Sequence, residues 1–120
     1  MKKFVLLSIA YATFIFWLSS LTAPPAAGAL PYNSGHFLLY LPFGILLFLA
    51  FKELGYDNKK AFLFAIFLAS AYGISDEFHQ LFVAGRQADP VDWALDTVGS
   101  IVGAFFYRRF APILVKHKSK

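Results

Sequence analysis

The sequence lacks cysteine altogether and is poor in acidic residues, and both shortages limit what the protein can be. Without cysteine, neither disulfides nor thiol catalysis are available. Only 7 of the 120 residues are acidic, whereas 58% are hydrophobic and the mean hydropathy is +0.59. Soluble domains are less apolar than this, so the composition indicates an integral membrane protein. The apolar runs are continuous, without the alternating pattern of barrel strands, and therefore predict an all-helical fold.

Four apolar segments approach the length of about 20 residues that a helix needs to cross a membrane. The chain shows no internal repeat or low-complexity segment, so residues 1–120 are interpreted as a single domain. The connections are short, which predicts that neighbouring helices pack antiparallel in a bundle. Pro42 lies inside the second segment, where neighbouring helices must compensate for the backbone hydrogen bond that it removes. The predicted spans are residues 4–22, 35–51, 61–81 and 91–107.

The basic residues predict an orientation for these four spans. Ten of the 11 Lys and Arg residues fall on one side, and only Arg86 falls on the other. The positive-inside rule therefore predicts that both termini are cytoplasmic and that Arg86 is outside. Because the basic residues flank apolar segments, the net charge of +4 indicates membrane anchoring, and no nucleic-acid partner is expected. The first segment and residues 27–29 also resemble a signal peptide, but its length and aromatic residues favour an anchored helix.

Five of the seven acidic residues lie between residues 75 and 96, around the outer ends of the third and fourth predicted helices. Ionisable groups at membrane depth are costly, so they are rarely there without a partner or a task. One polar residue on each predicted helix lies 16 residues from a cytoplasmic Lys or Arg, which is about 24 Å along a helix. These residues, expected at one depth beneath the outer surface, are Ser19, His36, Asp76 and Asp92.

Helical spacing groups small and polar residues into one stripe on each of the third and fourth predicted helices. Small residues at four-residue spacing let membrane helices approach closely, so these stripes are expected to join the two helices. Glu77 is expected to point about 100° away from Asp76. His36 and Tyr40 share a face of the second helix, so polar residues of three helices can converge on one outward-opening pocket. The stripes are Ala65, Ala69, Gly73, Asp76 and Gln80, and Asp92, Asp96, Gly99 and Gly103.

A pattern of Asp-Glu-x-His-Gln, then Gly-Arg, then Asp runs through this region and is fairly specific in a chain of this size. The matching segments are SDEFHQLFVAGR (75–86), DPVD (89–92), DTVG (96–99) with Gly103, FWLSS (16–20) and HFLLY (36–40). On these residues the chain resembles the VanZ-like family of small bacterial membrane proteins. It departs from the family pattern before His36, where an acidic-Lys pair is expected, and at Ala84, where Pro is common.

The resemblance implies a multi-helix membrane protein of the bacterial envelope. Together with the predicted orientation, it places the chain in the cytoplasmic (inner) membrane with the polar residues on the extracytoplasmic side. The founding member of the family is associated with low-level resistance to the glycopeptide teicoplanin. The family name therefore implies a cell-envelope location more directly than it implies a reaction.

The charged residues of the outer region have competing interpretations. Arg86 can grip a phosphate or carboxylate by a bidentate contact, or it can form a salt bridge to Asp89, Asp92 or Glu77. Asp92 and Asp96 lie four residues apart on one helix face, where two ionised carboxylates repel. One of them is therefore expected to be protonated, or both share a cation or Arg86.

Asp76 can form an acid–base set with His79 or Gln80, or it can bridge helices through hydrogen bonds. No known ligand spacing supports a metal site built from Asp76, His79, Asp92 and Asp96, so neither a metal nor another cofactor is expected. The predicted catalytic residues are Asp76, His79 and His36, and the predicted ligand-binding residues are Arg86, Gln80, Glu77, Asp92, Asp96 and Tyr40.

Three functions remain open at this point. The preferred one is an envelope protein whose outward pocket binds an anionic lipid-linked or cell-wall-related ligand, which the resemblance links to glycopeptide resistance. The second is a membrane enzyme that uses acid–base chemistry for hydrolysis or transfer on a lipid or cell-wall precursor. The third is a non-catalytic partner or assembly subunit. Membrane lipids are expected partners in each case, and a chain of 13.4 kDa would have to form a homo-oligomer to act as a transporter.

Overall fold

Four helices make up the described part of the protein, and their bounds agree with an all-helical fold. A computed structural model of the chain describes residues 2–20, 32–83 and 90–118, with side chains for 2–20, 37–83 and 90–110. Within these residues there is no strand, which confirms that the fold is all-helical. Two helices, α1 and α3, are long and apolar enough to cross a membrane. The helices are α1 (Lys3–Ser20), α2 (Tyr32–Glu53), α3 (Asn58–Gln80) and α4 (Pro90–Lys118).

The turn between α2 and α3 is built from local backbone hydrogen bonds. Gly55 has a φ of 98°, which a residue with a side chain adopts only with strain. The N–H of Gly55 donates to the carbonyl of Lys52 at 3.0 Å, and the N–H of Tyr56 donates to the carbonyl of Phe51 at 3.2 Å. This pair of bonds is the Schellman arrangement that ends many helices. Asp57 then caps α3 by accepting from the N–H of Lys60 at 2.8 Å.

Glu53 joins the end of α2 to the start of α1. Its Oε1 accepts from the N–H groups of Phe4 and Val5 at 2.6 and 3.0 Å. The first N–H groups of a helix have no partner within that helix, so a carboxylate placed there satisfies them and complements the helix dipole. Lys2 adds a contact by donating from Nζ to the carbonyl of Glu53 at 2.9 Å. This end of the bundle, where α1 and α3 begin and α2 ends, is called the lysine-rich end below.

Aromatic side chains fill the centre of the bundle around Phe43 of α2. Its ring stacks on Tyr11 of α1, with centroids 5.8 Å apart, and packs against Tyr72 of α3 at 5.4 Å. The hydroxyl of Tyr11 donates to the carbonyl of Leu39, and that of Tyr72 donates to the carbonyl of Ala12, both at 2.5 Å. Phe43 therefore lies where three helices meet, and the hydroxyls of Tyr11 and Tyr72 donate to main-chain carbonyls of neighbouring helices.

Hydroxyl groups of the neighbouring helices bond to backbone carbonyls of α2 close to Pro42. Proline lacks an N–H group, so α2 loses one of its internal hydrogen bonds there. The carbonyl of Leu39 accepts from the Tyr11 hydroxyl, and the carbonyl of Tyr40 accepts from Ser100 Oγ of α4 at 3.3 Å. Donors from both flanking helices thus reach backbone carbonyls less than one turn before the proline.

The closest backbone approach is between α2 and α4, which corrects the expected role of the small-residue stripe on α4. A methyl group added at Gly99 would lie 2.5 Å from the carbonyl oxygen of Phe37, and one at Gly103 would collide with that of Leu41. Gly44 of α2 faces the backbone of Ser100 in the same way. Gly99 and Gly103 therefore pack against α2, whereas Asp96 of the same stripe contacts Gly73 of α3. Small residues on α4 indicate that some helix packs closely there. Gly44 on α2 provides the matching space, so α2 is the helix that makes the contact.

Candidate functional site

Polar residues are buried where α3 ends and α4 begins, at the opposite end of the bundle from Glu53. This polar end also includes the end of α1 and Tyr40 of α2. Burial of so many polar groups among apolar helices is costly unless they have partners or a function. The buried polar side chains there are those of Ser19, Asp76, Glu77, Gln80, Asp92, Asp96 and Ser100.

Three carboxylates from two helices converge at this end. Asp76 and Glu77 of α3 and Asp96 of α4 each place one carboxylate oxygen within 4.8 Å of the others. These three residues are called the carboxylate cluster. Adjacent residues of a helix are turned about 100° from each other. Glu77 nevertheless places a carboxylate oxygen within 4.8 Å of those of Asp76 and Asp96, and it is buried as Asp76 is.

Gly73 and a group of hydrogen bonds fix α4 beside α3. A methyl group added at Gly73 would lie 3.1 Å from Trp93 Cδ1 and 3.2 Å from Asp96 Oδ2, so glycine gives these side chains their room. The indole N–H of Trp93 donates to the carbonyl of Ser70 at 3.0 Å and lies 3.2 Å from its hydroxyl. Thr97 Oγ1 donates to the same hydroxyl at 3.2 Å. These contacts set the register that brings Asp96 to Asp76.

The sequence analysis did not single out Trp93, Thr97 or Ser70 as residues that position the site. A signal was present, because Trp93 and Thr97 are four residues apart and share a helix face. Tryptophan in a membrane helix also needs an acceptor for its indole N–H. The acceptor lies 23 residues earlier in the chain, and no local pattern identifies it.

Tyr40 of α2 approaches the carboxylate cluster from a third helix. It is 0% exposed, and its ring packs edge-on against Phe43 with centroids 5.5 Å apart. Its hydroxyl lies within electrostatic reach of Asp96, Asp76 and Glu77. Among the residues that the structure describes, this hydroxyl has no hydrogen-bond partner. The predicted ligand-binding tyrosine is therefore placed at the site with a free polar atom.

Gln80 connects the polar end of α3 to the end of α1. Its Nε2 donates to the carbonyl of Ser19 at 2.9 Å and also to the Ser19 hydroxyl. These contacts hold the amide group in one orientation. Its Oε1 is buried and has no hydrogen-bond partner among the described residues. Gln80 lies four residues after Asp76 and three after Glu77, so it shares their side of α3.

His79 is placed against α1. Its ring stacks on Phe16 with centroids 4.5 Å apart, and a hydrogen bond of 3.0 Å joins its Nε2 to Ser20 Oγ. Asp92 is buried one turn before Asp96. The side chains of His36 and Arg86 lie outside the described residues, as does Asp89, so their predicted roles stay predictions.

The side-chain atoms that this site can offer to a ligand are mainly oxygens. Carboxylate, phenol and amide oxygens can hold a cation, share protons, or hold a guanidinium group. No Lys or Arg is among the buried residues that the structure describes.

The chain matches the model of the VanZ/LLP1 family over residues 3–114. No curated protein and no solved structure matches it. The family match runs through all four helices and includes every residue of the site described above. The protein therefore belongs to the VanZ/LLP1 family, which confirms the resemblance seen in the sequence. Family membership and the two apolar helices together indicate a membrane protein.

Proposed function

We propose that the protein crosses the inner membrane of a bacterium four times as an antiparallel helix bundle, with both termini in the cytoplasm. The support is the charge difference between the two ends. The positive-inside rule assigns an end rich in lysine to the cytoplasm, so the polar end faces the outside. Its buried acidic residues then lie just beneath the outer membrane surface. The lysines at the opposite end are Lys2, Lys3, Lys52, Lys59 and Lys60.

The polar end binds an anionic ligand, which is the phosphate of a lipid-linked cell-wall precursor or of a lipid headgroup. Arg86 lies in the connection between α3 and α4, four residues before Pro90, so it is within about 14 Å of the start of α4. Buried carboxylates at this end can orient a guanidinium group, which then grips phosphate by two parallel hydrogen bonds. The observation that carries this proposal is the convergence of buried Asp76, Glu77 and Asp96 on the two helices that this connection joins.

Binding of a cell-wall precursor also supplies a link to glycopeptide resistance. Such antibiotics act outside the cytoplasmic membrane, on the side that the polar end faces in the proposed orientation. A protein that holds or presents the precursor there changes how much of it the antibiotic can reach. The link to glycopeptide resistance depends on the identity of the ligand, so it is tested once the ligand is known.

Mass spectrometry of lipids that co-purify with the protein tests the anion site. Wild-type protein should retain phosphate-bearing lipids, and Arg86→Ala should retain several-fold less. Arg109→Ala is the matched control, since it removes the same charge from the opposite end of α4. Equal lipid retention by wild type and Arg86→Ala would remove Arg86 from the site.

The orientation has a separate test, which the absence of cysteine makes simple. A single cysteine introduced at Gln87 should react with a membrane-impermeant maleimide on intact cells. One introduced at Asn58, at the lysine-rich end, should react only after the membrane is opened. The reverse result would overturn the orientation.

An enzyme that acts on the same class of ligand is the second candidate. The short separation of the three carboxylates favours it, because neighbouring carboxyl groups can divide acid and base roles between them. Purified protein should then turn over a lipid-linked pyrophosphate or ester, and Asp76→Asn should stop that turnover. Unchanged substrates across a panel of such lipids would leave binding as the function.

A further inference from the structure

We infer that Asp76, Glu77 and Asp96 form a binding site for a divalent metal cation, with Tyr40 and Gln80 as its neutral oxygen donors. The inference does not depend on the anion proposed above, because the metal alone can be tested. It also departs from the sequence analysis, which predicted no metal. Asp76 and Glu77 are adjacent and Asp96 is on another helix, so the ligands form no recognisable spacing in the chain.

The distances among the carboxylate oxygens fit one shared cation. Two oxygens on opposite sides of a Ca²⁺ ion, each about 2.4 Å from it, are about 4.8 Å apart. One oxygen from each residue of the carboxylate cluster lies within 4.8 Å of the others, so a single ion can contact all three. Mg²⁺ binds at about 2.1 Å, which requires separations no greater than about 4.2 Å.

The Tyr40 hydroxyl is the independent observation that points to a ligand here. It comes from a third helix, is 0% exposed, and has no hydrogen-bond partner among the described residues. A buried polar atom without a partner is costly, so such atoms usually mark a bound group or a function. The charges of Asp96, Asp76 and Glu77 act on this hydroxyl, which places it beside the cluster. It can contact the cation directly or through one of the cation's waters.

Gln80 supplies a second neutral oxygen. Its Nε2 is occupied by Ser19, which leaves Oε1 as the atom available to a ligand. Amide oxygens are ordinary ligands of hard cations. Because Gln80 is four residues from Asp76 on the same helix, its amide lies one turn further toward the outer end, where a cation would enter.

The ligand chemistry selects the class of metal. All five donors are oxygens, which suit Mg²⁺, Ca²⁺ and Mn²⁺, whereas Zn²⁺ and Cu²⁺ prefer imidazole and thiolate. His79 does not join the set, since its ring lies against Phe16 and Ser20. A divalent ion also reduces the repulsion among carboxylates in a low-dielectric site, and it would give a phosphate a positive centre.

Binding of Mn²⁺ to the full-length protein in detergent, after removal of metals with EDTA, tests the site. Electron paramagnetic resonance should show saturable loss of the free Mn²⁺ signal at a single site per chain, reversed by Ca²⁺ or Mg²⁺. Glu77→Gln and Asp96→Asn should each weaken binding more than about tenfold. Asp57→Asn is the matched control, because it removes a carboxylate at the lysine-rich end and asparagine still caps α3.

Tyr40→Phe tests the site without changing a charge or the fold. It keeps the ring packed on Phe43 and removes only the hydroxyl, so binding should weaken several-fold while the unfolding midpoint without metal stays the same or rises. Tyr40→Phe also tests the site if a carboxylate variant fails to fold. The proposal is overturned if the wild-type protein shows no saturable Mn²⁺ binding, or if binding survives in Glu77→Gln/Asp96→Asn. Loss of lipid binding in Arg86→Ala with Mn²⁺ binding intact would separate the two sites.

Discussion

The two ends of the bundle are held together by different kinds of interaction. At the lysine-rich end, the Gly55 turn, the Asp57 cap and the Glu53 carboxylate satisfy backbone groups at helix termini. At the polar end, side chains from different helices contact one another over long sequence separations, as Gln80 does with Ser19. The contacts at the lysine-rich end therefore satisfy the backbone groups of helix termini. The polar end instead buries polar side chains that helix termination does not require. The proposed function is therefore assigned to the polar end, and the contacts of the lysine-rich end to stability.

The largest expected effect comes from Gly99→Ala. The added methyl group would lie 2.5 Å from the carbonyl oxygen of Phe37, so α2 and α4 must separate. Overpacking of this kind costs about 1–3 kcal/mol in unfolding free energy. Because Tyr40 and Asp96 flank this contact on the two helices, Mn²⁺ binding should weaken too. Unfolding in a denaturing detergent and Mn²⁺ titration measure both effects, and stability equal to wild type would show that the helices can part without cost.

Gly55→Ala is the corresponding change at the lysine-rich end. A φ of 98° is strained for alanine, so the variant should lose about 1 kcal/mol of unfolding free energy. Nothing lies within 4 Å of the added methyl group, so the cost is conformational and not steric. Mn²⁺ and lipid binding of the folded variant should equal those of wild type. A change in either would mean that the two ends are coupled.

Trp93→Phe should have a smaller effect on stability and a clearer one on binding. It removes the indole donor to Ser70, and hydrogen bonds between membrane helices are worth about 0.6 kcal/mol on average. The register that holds Asp96 beside Asp76 then depends on Gly73 packing and the Thr97 contact alone. Mn²⁺ affinity should fall, measured beside Phe62→Leu as an aromatic change at the opposite end of α3. Unchanged affinity would show that packing alone sets the register.

Ser20→Ala should have the smallest effect. The bond from Ser20 to His79 is exposed, so its loss should change the unfolding free energy by no more than about 0.5 kcal/mol. If His79 only packs against α1, lipid binding and Mn²⁺ binding should both stay at the wild-type level. A loss of lipid binding in this variant would support the predicted functional role of His79.

The sequence predicts the helices and the lysine-rich turn well because their causes are local. Apolar runs mark the helices, and Lys52 and Lys60 bracket a turn that Gly55 makes possible. Tyr40 was also assigned to the site from helical spacing alone, and it is buried there.

The partners of residues on different helices were harder to predict. The stripe of Gly99 and Gly103 was assigned to the wrong neighbour, because a helix face shows that something packs closely and not what packs there. Glu77 was predicted to bind a ligand, but the 100° between neighbouring residues does not show that its carboxylate lies within 4.8 Å of those of Asp76 and Asp96. Arg86 and His36 stay predictions.

The hydroxyl bonds of Tyr11 and Tyr72 have a consequence for how the family can vary. Both hydroxyls donate to main-chain carbonyls, at Leu39 and Ala12, and a carbonyl is present whatever residue stands at those positions. Substitutions at Leu39 or Ala12 therefore keep the bond, provided that the new side chain fits. These two interhelical contacts should leave no trace of correlated change between positions in an alignment, even though they hold α1 to α2 and α3. Contact maps drawn from residue covariation would underestimate how firmly α1 is held.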